Sequence, residues 1–170
     1  NVNPVKLEYF DGTAWQLIAS LTVGQLTNSG NGAPAYTWNP VPDVKTELAK
    51  IRVTHDDPNY SATVTDDSDN AFAIRPELTV TTPVANADLV VGSSGHTVTV
   101  NRTSATITNV KLEYSVNGGT WTLLDAGSGN VALTGGTTTY TWNNLPNAIS
   151  QNVVIRAVDT GNTNIVGLSP

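Results

Sequence analysis

The chain contains no cysteine. That excludes disulfides, Cys-based zinc sites, iron–sulfur clusters and thiol nucleophiles. It does not assign the chain to the cytosol, since many bacterial surface proteins also lack cysteine. Methionine is absent too, which implies that the initiator has been removed or that the chain is cut from something longer. Charged residues are 13% of the sequence, against a usual share of roughly 25%. The formal charge is −6 and the pI near 4.6. This acidic balance argues against nucleic acid, which demands clustered Lys and Arg, and against anionic membrane surfaces. No stretch repeats apolar residues with helical spacing over three turns. No signal peptide and no apolar run of bilayer length is read; both would be lost from a processed, exported fragment.

Strand formers fill the chain instead: Val, Thr, Ile, Tyr and Trp, punctuated by Gly, Asn, Asp and Pro. Thr, Ser and Asn supply the polar surface, a habit of exported β proteins. The segment Val110–Trp121, VKLEYSVNGGTW, nearly repeats Val5–Trp15, VKLEYFDGTAW. Trp15–Ile18 likewise matches Trp121–Leu124, Tyr36–Pro42 matches Tyr140–Pro146, and Ile51–Val53 matches Ile155–Ala157. The matched segments keep their order at a spacing near 105 residues. That order marks a duplication of one β unit. Each copy has roughly 75–100 residues, enough for a sandwich to fold alone.

Side chains alternate faces along a strand. Val110, Leu112 and Tyr114 therefore share an inward face, and Lys111, Glu113 and Ser115 the outward one. Asn117-Gly118-Gly119 supplies the positive φ angles of a hairpin turn. Tyr140 and Trp142 share a face, as do Val153, Ile155 and Ala157, with Arg156 opposite.

The two copies are cut differently. The second opens with two extra strands, Leu78–Thr82 and His96–Thr103, for which the first has no room before Val5. The first continues through a strand at Ser61–Thr65, an acidic break at Asp66–Asp69 and a strand at Ala71–Ile74. The second ends at Pro170, before any counterpart of the last of these. The expected division is a first β-sandwich unit over residues 1–75, incomplete at its N-terminal end, and a second over residues 76–170, joined at Arg75-Pro76.

These words resemble the immunoglobulin-like and fibronectin type III-like repeats of bacterial and archaeal surface proteins. The pattern is similar to the Kre9 and Ser/Thr-rich anchored-protein module. The matching stretches are Leu78–Pro83, Val91-Gly92-Ser93, Val110–Trp121, Tyr140–Pro146, Val154–Asp159 and, in the first unit, Asp66–Ile74. The resemblance implies two tandem sandwiches in a secreted or cell-surface repeat protein with adhesive, cell-wall or lattice roles.

Trp15, Trp38, Trp121 and Trp142 recur at matched places, which points to filling or edging the two interiors more than to a sugar-stacking platform. Glu8 and Glu113 stand on outward faces near Arg52 and Arg156. Cross-strand pairs Glu8–Arg52 and Glu113–Arg156 are expected, each worth under about 1 kcal/mol if exposed. A glycosidase needs two carboxylates across one cleft; each unit offers one at the matched place. His55 and His96 stand at unmatched positions; His55-Asp56-Asp57 could form a metal or triad site, but no G-x-S-x-G or H-E-x-x-H motif accompanies it and a loop histidine is the expectation, while His96 opens the strand His96–Thr103. Asp56, Asp57, Asp66, Asp67 and Asp69 form acidic turns that could supply hard oxygen ligands to calcium, or serve simply as solvated turns that blunt a sheet edge. Asn59 and Asn101 head glycosylation sequons. An internal Lys–Asn isopeptide bond is a further stabiliser open to such sandwiches.

No catalytic residue is assigned. The expected role is that of a non-catalytic extracellular structural protein, a repeat segment or subunit of a surface layer or filament, completed by strand addition from a neighbour. Its expected partners are copies of itself or adjacent repeats of the same chain. The alternative is a carbohydrate-binding or adhesive module that meets cell-surface glycans, with Phe10 and Tyr60 as the aromatics lacking counterparts in the second copy.

Overall fold

The computed structural model describes residues 5–22, 27–28, 34–56 and 64–170, and it is all-β. Among those residues the helical content is one 3₁₀ turn, Ala126–Gly129. The chain forms two compact units, Asn1–Arg75 and Pro76–Pro170.

Unit 1 contains β1 (Val5–Phe10), β2 (Trp15–Leu21), β3 (Thr27–Asn28), β4 (Pro34–Ala35), β5 (Thr46–His55), β6 (Thr65–Asp67) and β7 (Phe72–Ile74). Strand β1 lies between β2 and β5, antiparallel to both. The other edge of β5 carries β6 and then β7, and β3 pairs with β4. Asp11 shapes the β1–β2 turn. Its carboxylate accepts from the Thr13 and Ala14 amides at 2.8 and 2.9 Å, and Gly12 takes φ 104°, which glycine adopts without strain. The buried cluster is small: Tyr9, Ala49 and Ile74, with Ile18, Trp38, Val44 and Ile51 packed against it.

Unit 2 contains β8 (Leu78–Thr82), β9 (His96–Arg102), β10 (Asn109–Val116), β11 (Thr122–Leu123), β12 (Val131–Ala132), β13 (Thr137–Trp142), β14 (Val153–Asp159) and β15 (Val166–Leu168). One sheet runs β11-β10-β14-β15, with β12 also on β10; the other runs β13-β9-β8. The two sheets share one core. Leu78, Val80, Val98, Val100 and Trp142 come from one, and Val110, Leu112, Ile155 and Ala157 from the other. Trp142 Nε1–H donates to the Leu124 carbonyl at 2.8 Å, so its one polar atom is satisfied inside. The β10 hairpin turns through Asn117 (φ 52°) and Gly118 (φ 72°). Strand β15 runs so close to β8 that a Cβ on Gly167 would lie 2.3 Å from the Leu78 carbonyl oxygen.

The structure corrects three local expectations. Asp66 and Asp67 are strand residues of β6, opposite Val53 and Arg52, and not part of a break; the short edge strand tolerates them because Arg52 takes the Asp67 carboxylate. His55 is a strand residue and not a loop one, ending β5 opposite Val5. Tyr36-Thr37-Trp38 is in no strand, whereas its counterpart Tyr140-Thr141-Trp142 pairs with β9 along its whole length.

Candidate functional site

Two features recur in both units, and the way each differs between the copies carries information. The first is a polar ladder on the outward face. In unit 2, Lys111 and Glu113 are two apart on β10 and so point the same way. Arg156 stands opposite Glu113 on β14. The Glu113 carboxylate accepts from Lys111 Nζ at 2.9 Å and from Arg156 Nη2 and Nε at 2.7 Å. The guanidinium carbon of Arg156 lies 4.2 Å from the centre of the Trp121 ring. The Glu113 side chain is only 8% exposed, so the expected pair forms and is covered. Burial pushes its carboxyl up, but the hydrogen bonds and charges of Lys111 and Arg156 outweigh that and hold it below the ordinary glutamate range.

Unit 1 repeats the positions with different bonds. Glu8 stands opposite Arg52, yet Arg52 closes bidentately on Asp67, Nε at 2.6 Å and Nη2 at 2.9 Å. Glu8 is left with Lys6 at 3.1 Å. The residue that stands to Arg156 as Asp67 stands to Arg52 is Leu168, its partner on β15. An apolar neighbour gives Arg156 one anionic choice, and Asp67 gives Arg52 two. Arg52 also lies over a tryptophan, 3.9 Å from the Trp15 ring centre. Trp15 and Trp121 therefore belong to the outward ladder and not to the interiors. A cation over an aromatic face is worth about 0.5–1 kcal/mol at an exposed site. The matched Trp and Arg were legible in the sequence, but the contact between them was missed.

The second feature is the inward face. At several matched positions unit 2 buries what unit 1 leaves more open, although Tyr9 is buried and its counterpart Tyr114 half-buried. Leu112, Ile155 and Trp142 are buried, while Leu7, Ile51 and Trp38 are half-buried. Ala157 is 0% exposed and its counterpart Val53 is 39% exposed. Tyr36 is 41% exposed. Its counterpart Tyr140 is packed on the core, and its hydroxyl donates to Asp125 Oδ1. What covers the unit 2 face is the sheet containing β8 and β9, whose Val80, Val98 and Val100 sit in the shared core.

The remaining candidates fall as follows. Asp57, Asn59 and Tyr60 lie outside the described residues. The Asp67 carboxyl is held below its ordinary range chiefly by its hydrogen bonds to Arg52. Asp66 lies on the opposite face of β6, and the Asp69 carbonyl accepts from Lys50 Nζ at 3.4 Å. Among the described residues no three His, Asp or Glu side chains gather as a metal site. Asn101 is on the central strand of its sheet, between Thr79 and Thr137, with its side-chain oxygen buried. Its sequon is thus in a strand and not on the surface loop where such acceptors are usual. His96 Nε2 is 2.8 Å from Ser93 Oγ. Phe10 packs on Trp15, ring centres 5.5 Å apart.

No known protein family and no characterised protein matches this chain.

Proposed function

We propose that this chain is a non-catalytic structural protein of the cell exterior, a repeat segment or subunit of a surface layer or filament. In this reading it is built from immunoglobulin-like or fibronectin type III-like units and completed by contacts with copies of itself or adjacent repeats. The observation that supports it is the inward face of unit 1, where Val53 is exposed and Leu7, Ile51 and Trp38 are half-buried, while their unit 2 counterparts Ala157, Leu112, Ile155 and Trp142 are buried. An apolar sheet face in water is a standing incentive to associate, at about 25 cal/mol per Å² buried. The low charge, absent cysteine and Thr-rich surface suit an exported protein. The ladders fit the same reading: each gathers its charges into ion pairs on an outward sheet face.

The test is sedimentation velocity of the purified chain over a wide concentration range, with negative-stain microscopy of the dense samples. Growing oligomers or filaments are expected; a monomer throughout would sink the reading. A cation role for Asp56, Asp66 and Asp69 is tested on the same samples by calcium followed by a chelator, with a raised and then lowered melting midpoint as the supporting result.

A second reading, an adhesive module that stacks glycans, draws on the Phe10–Trp15 pair, since Phe10 has the non-aromatic Ser115 as its counterpart. Binding to a glycan array that is lost in Trp15→Ala would favour it.

A further inference from the structure

A sheet edge presents unpaired N–H and C=O groups, and proteins blunt such edges by keeping them short, charged, bulged or covered. Unit 2 blunts all of its sheet edges but one. Strand β15 has three residues, and β11 and β12 have two each. Strand β8 carries a register shift between Val80 and Thr82, and β15 passes close against it at Gly167. Strand β13 is different. It runs six residues, Thr137-Thr138-Thr139-Tyr140-Thr141-Trp142, with no charge, no proline and no shift against β9. Threonine and the aromatics are strong strand formers. Among the described residues β9 is the one strand paired with it.

The register fixes which backbone groups of β13 point away from β9. Arg102 N–H donates to the Gly136 carbonyl at 2.8 Å, one step beyond the facing pair Thr137 and Asn101. Bonded and non-bonded pairs alternate along an antiparallel ladder. Thr138, Tyr140 and Trp142 therefore bond to β9, and the N–H and C=O groups of Thr137, Thr139 and Thr141 point to the open edge. The side chains of these three threonines are exposed. They face Asn101, Thr99 and Thr97 on the side of the sheet away from the core. Thr79 stands beyond Asn101 and Thr82 beyond Thr99, with the Thr82 hydroxyl bonded to Thr99 Oγ1 at 2.7 Å. The paired outward positions of all three strands are thus threonine or asparagine. No charge interrupts them, although the chain carries −6 overall.

We propose that β13 pairs antiparallel with β13 of a second copy of this chain, about a twofold axis at Thr139. The edge itself selects this occupant. Centred on Thr139, the self-pairing uses all three open residues: Thr137 meets Thr141 of the second copy, Thr139 meets Thr139, and Thr141 meets Thr137. Any shift along the strand leaves at least one of them without its match. Every outward pair is then threonine on threonine, a favourable cross-strand combination. No like charges meet along the contact, so two acidic chains approach there without local repulsion. A strand of charged or bulky composition would break the threonine row; the chain's own strand continues it. The two three-stranded sheets become one sheet of six, with main-chain bonds across the join as in strand addition. Such an isologous contact closes at two copies, so growth beyond a pair needs a further surface. This inference rests on the self-association in the structural reading above and names one contact within it.

The chain has no cysteine, so a single introduced cysteine reports its neighbour without ambiguity. Under mild copper–phenanthroline oxidation, full-length Thr139→Cys is expected to form a disulfide-linked dimer, because bonded antiparallel partners stand about 5.5 Å apart at Cα, within disulfide reach. Thr137→Cys and Thr141→Cys are each expected to stay unlinked alone and to link when mixed, since each meets the other across the axis. Thr97→Cys, exposed on the central strand, is the control and is expected to stay unlinked. In the native chain, sedimentation velocity should show dimers as concentration rises, with amide exchange at Thr137, Thr139 and Thr141 slowed about tenfold or more. Thr139→Lys, which sets two like charges on the axis, is expected to remove both effects while the other unit 2 amides keep their protection. Thr139→Cys linking no faster than Thr97→Cys overturns the proposal. A dimer that persists in Thr139→Lys also overturns it, since another surface of the second copy is then the contact. The two readings separate cleanly. Filaments in which β13 stays unprotected keep the structural role and lose this contact; a dimer linked at Thr139 that grows no further keeps this contact and loses the filament.

Discussion

Glu113 and Arg156 face each other across β10 and β14 and close at 2.7 Å, whereas the matched Arg52 turns from the facing Glu8 to Asp67. The same two residue types, at the same register, thus make different bonds because the next strand out offers leucine in one unit and aspartate in the other.

Glu113→Gln is expected to lower stability by about 1–3 kcal/mol, because Lys111 and Arg156 lose a charged acceptor that is largely shielded from water. Glu8→Gln is expected to stay within about 1 kcal/mol, since Arg52 keeps Asp67. Urea unfolding of the two variants checks the contrast; equal losses would mean that the bonding difference has no energetic weight.

The same carboxyl sets an acid limb. The Glu113 pKa is lower folded than its ordinary 4.5. Its contribution is therefore fully present above the unfolded value and is lost as pH falls through the folded value. Unfolding midpoints measured from neutral pH down to about pH 3 are expected to fall more steeply in the native chain than in Glu113→Gln. Carbon-detected NMR of the glutamate carboxyls gives the folded value directly.

Trp142→Ala is expected to cost about 3–5 kcal/mol, as the largest fully buried side chain of unit 2. Trp121→Ala removes the ring that stacks on Arg156, with an expected cost of about 0.5–1 kcal/mol. Trp38→Ala should fall between them. Thermal melts of the three variants rank them, and a Trp121 variant as damaging as Trp142 would restore an interior role to Trp121.

Tyr140 is pushed up to about 12 by burial, by its hydrogen bond to Asp125 and by that carboxylate's charge. A raised folded value means that its contribution is present below the ordinary 10.0 and lost as pH rises through the folded one. Burial also raises Tyr9, so ultraviolet titration should show Tyr9 and Tyr140 ionising late, and Tyr140→Phe should remove the Tyr140 share of that step and cost about 1–3 kcal/mol.

Gly167→Val is expected to destabilise unit 2 by about 1–3 kcal/mol or more, because the new side chain meets the Leu78 backbone where β15 passes β8. Amide exchange in β8 and β15 localises the damage; protection unchanged in both strands would contradict it.

Much of the architecture is legible in the sequence. Strict alternation in Val110–Ser115 gave a strand with one wet face, and Asn117-Gly118 gave its turn. The Glu113–Arg156 pair followed from periodicity plus an assumed neighbour. The two tryptophans at the ladder were misplaced, because a tryptophan after a turn can face either way and nothing local says which. The acidic stretch Asp66–Asp69 reads as a break, because aspartate disfavours strands. Its pairing with Arg52 is a contact between residues far apart in sequence.

What the sequence alone determined is therefore periodic or repeated: the β class, the duplication, the turn at Asn117-Gly118, and which residues share a face. A period of two and a matched word are local facts, and backbone geometry converts them directly into structure. What the tertiary structure decided is everything that depends on the segment lying opposite. Trp142 is sealed and Trp38 half open, though both sit in the same Tyr-Thr-Trp word. Burial belongs to a pair of surfaces, and no single stretch of residues can state by itself whether its partner is there.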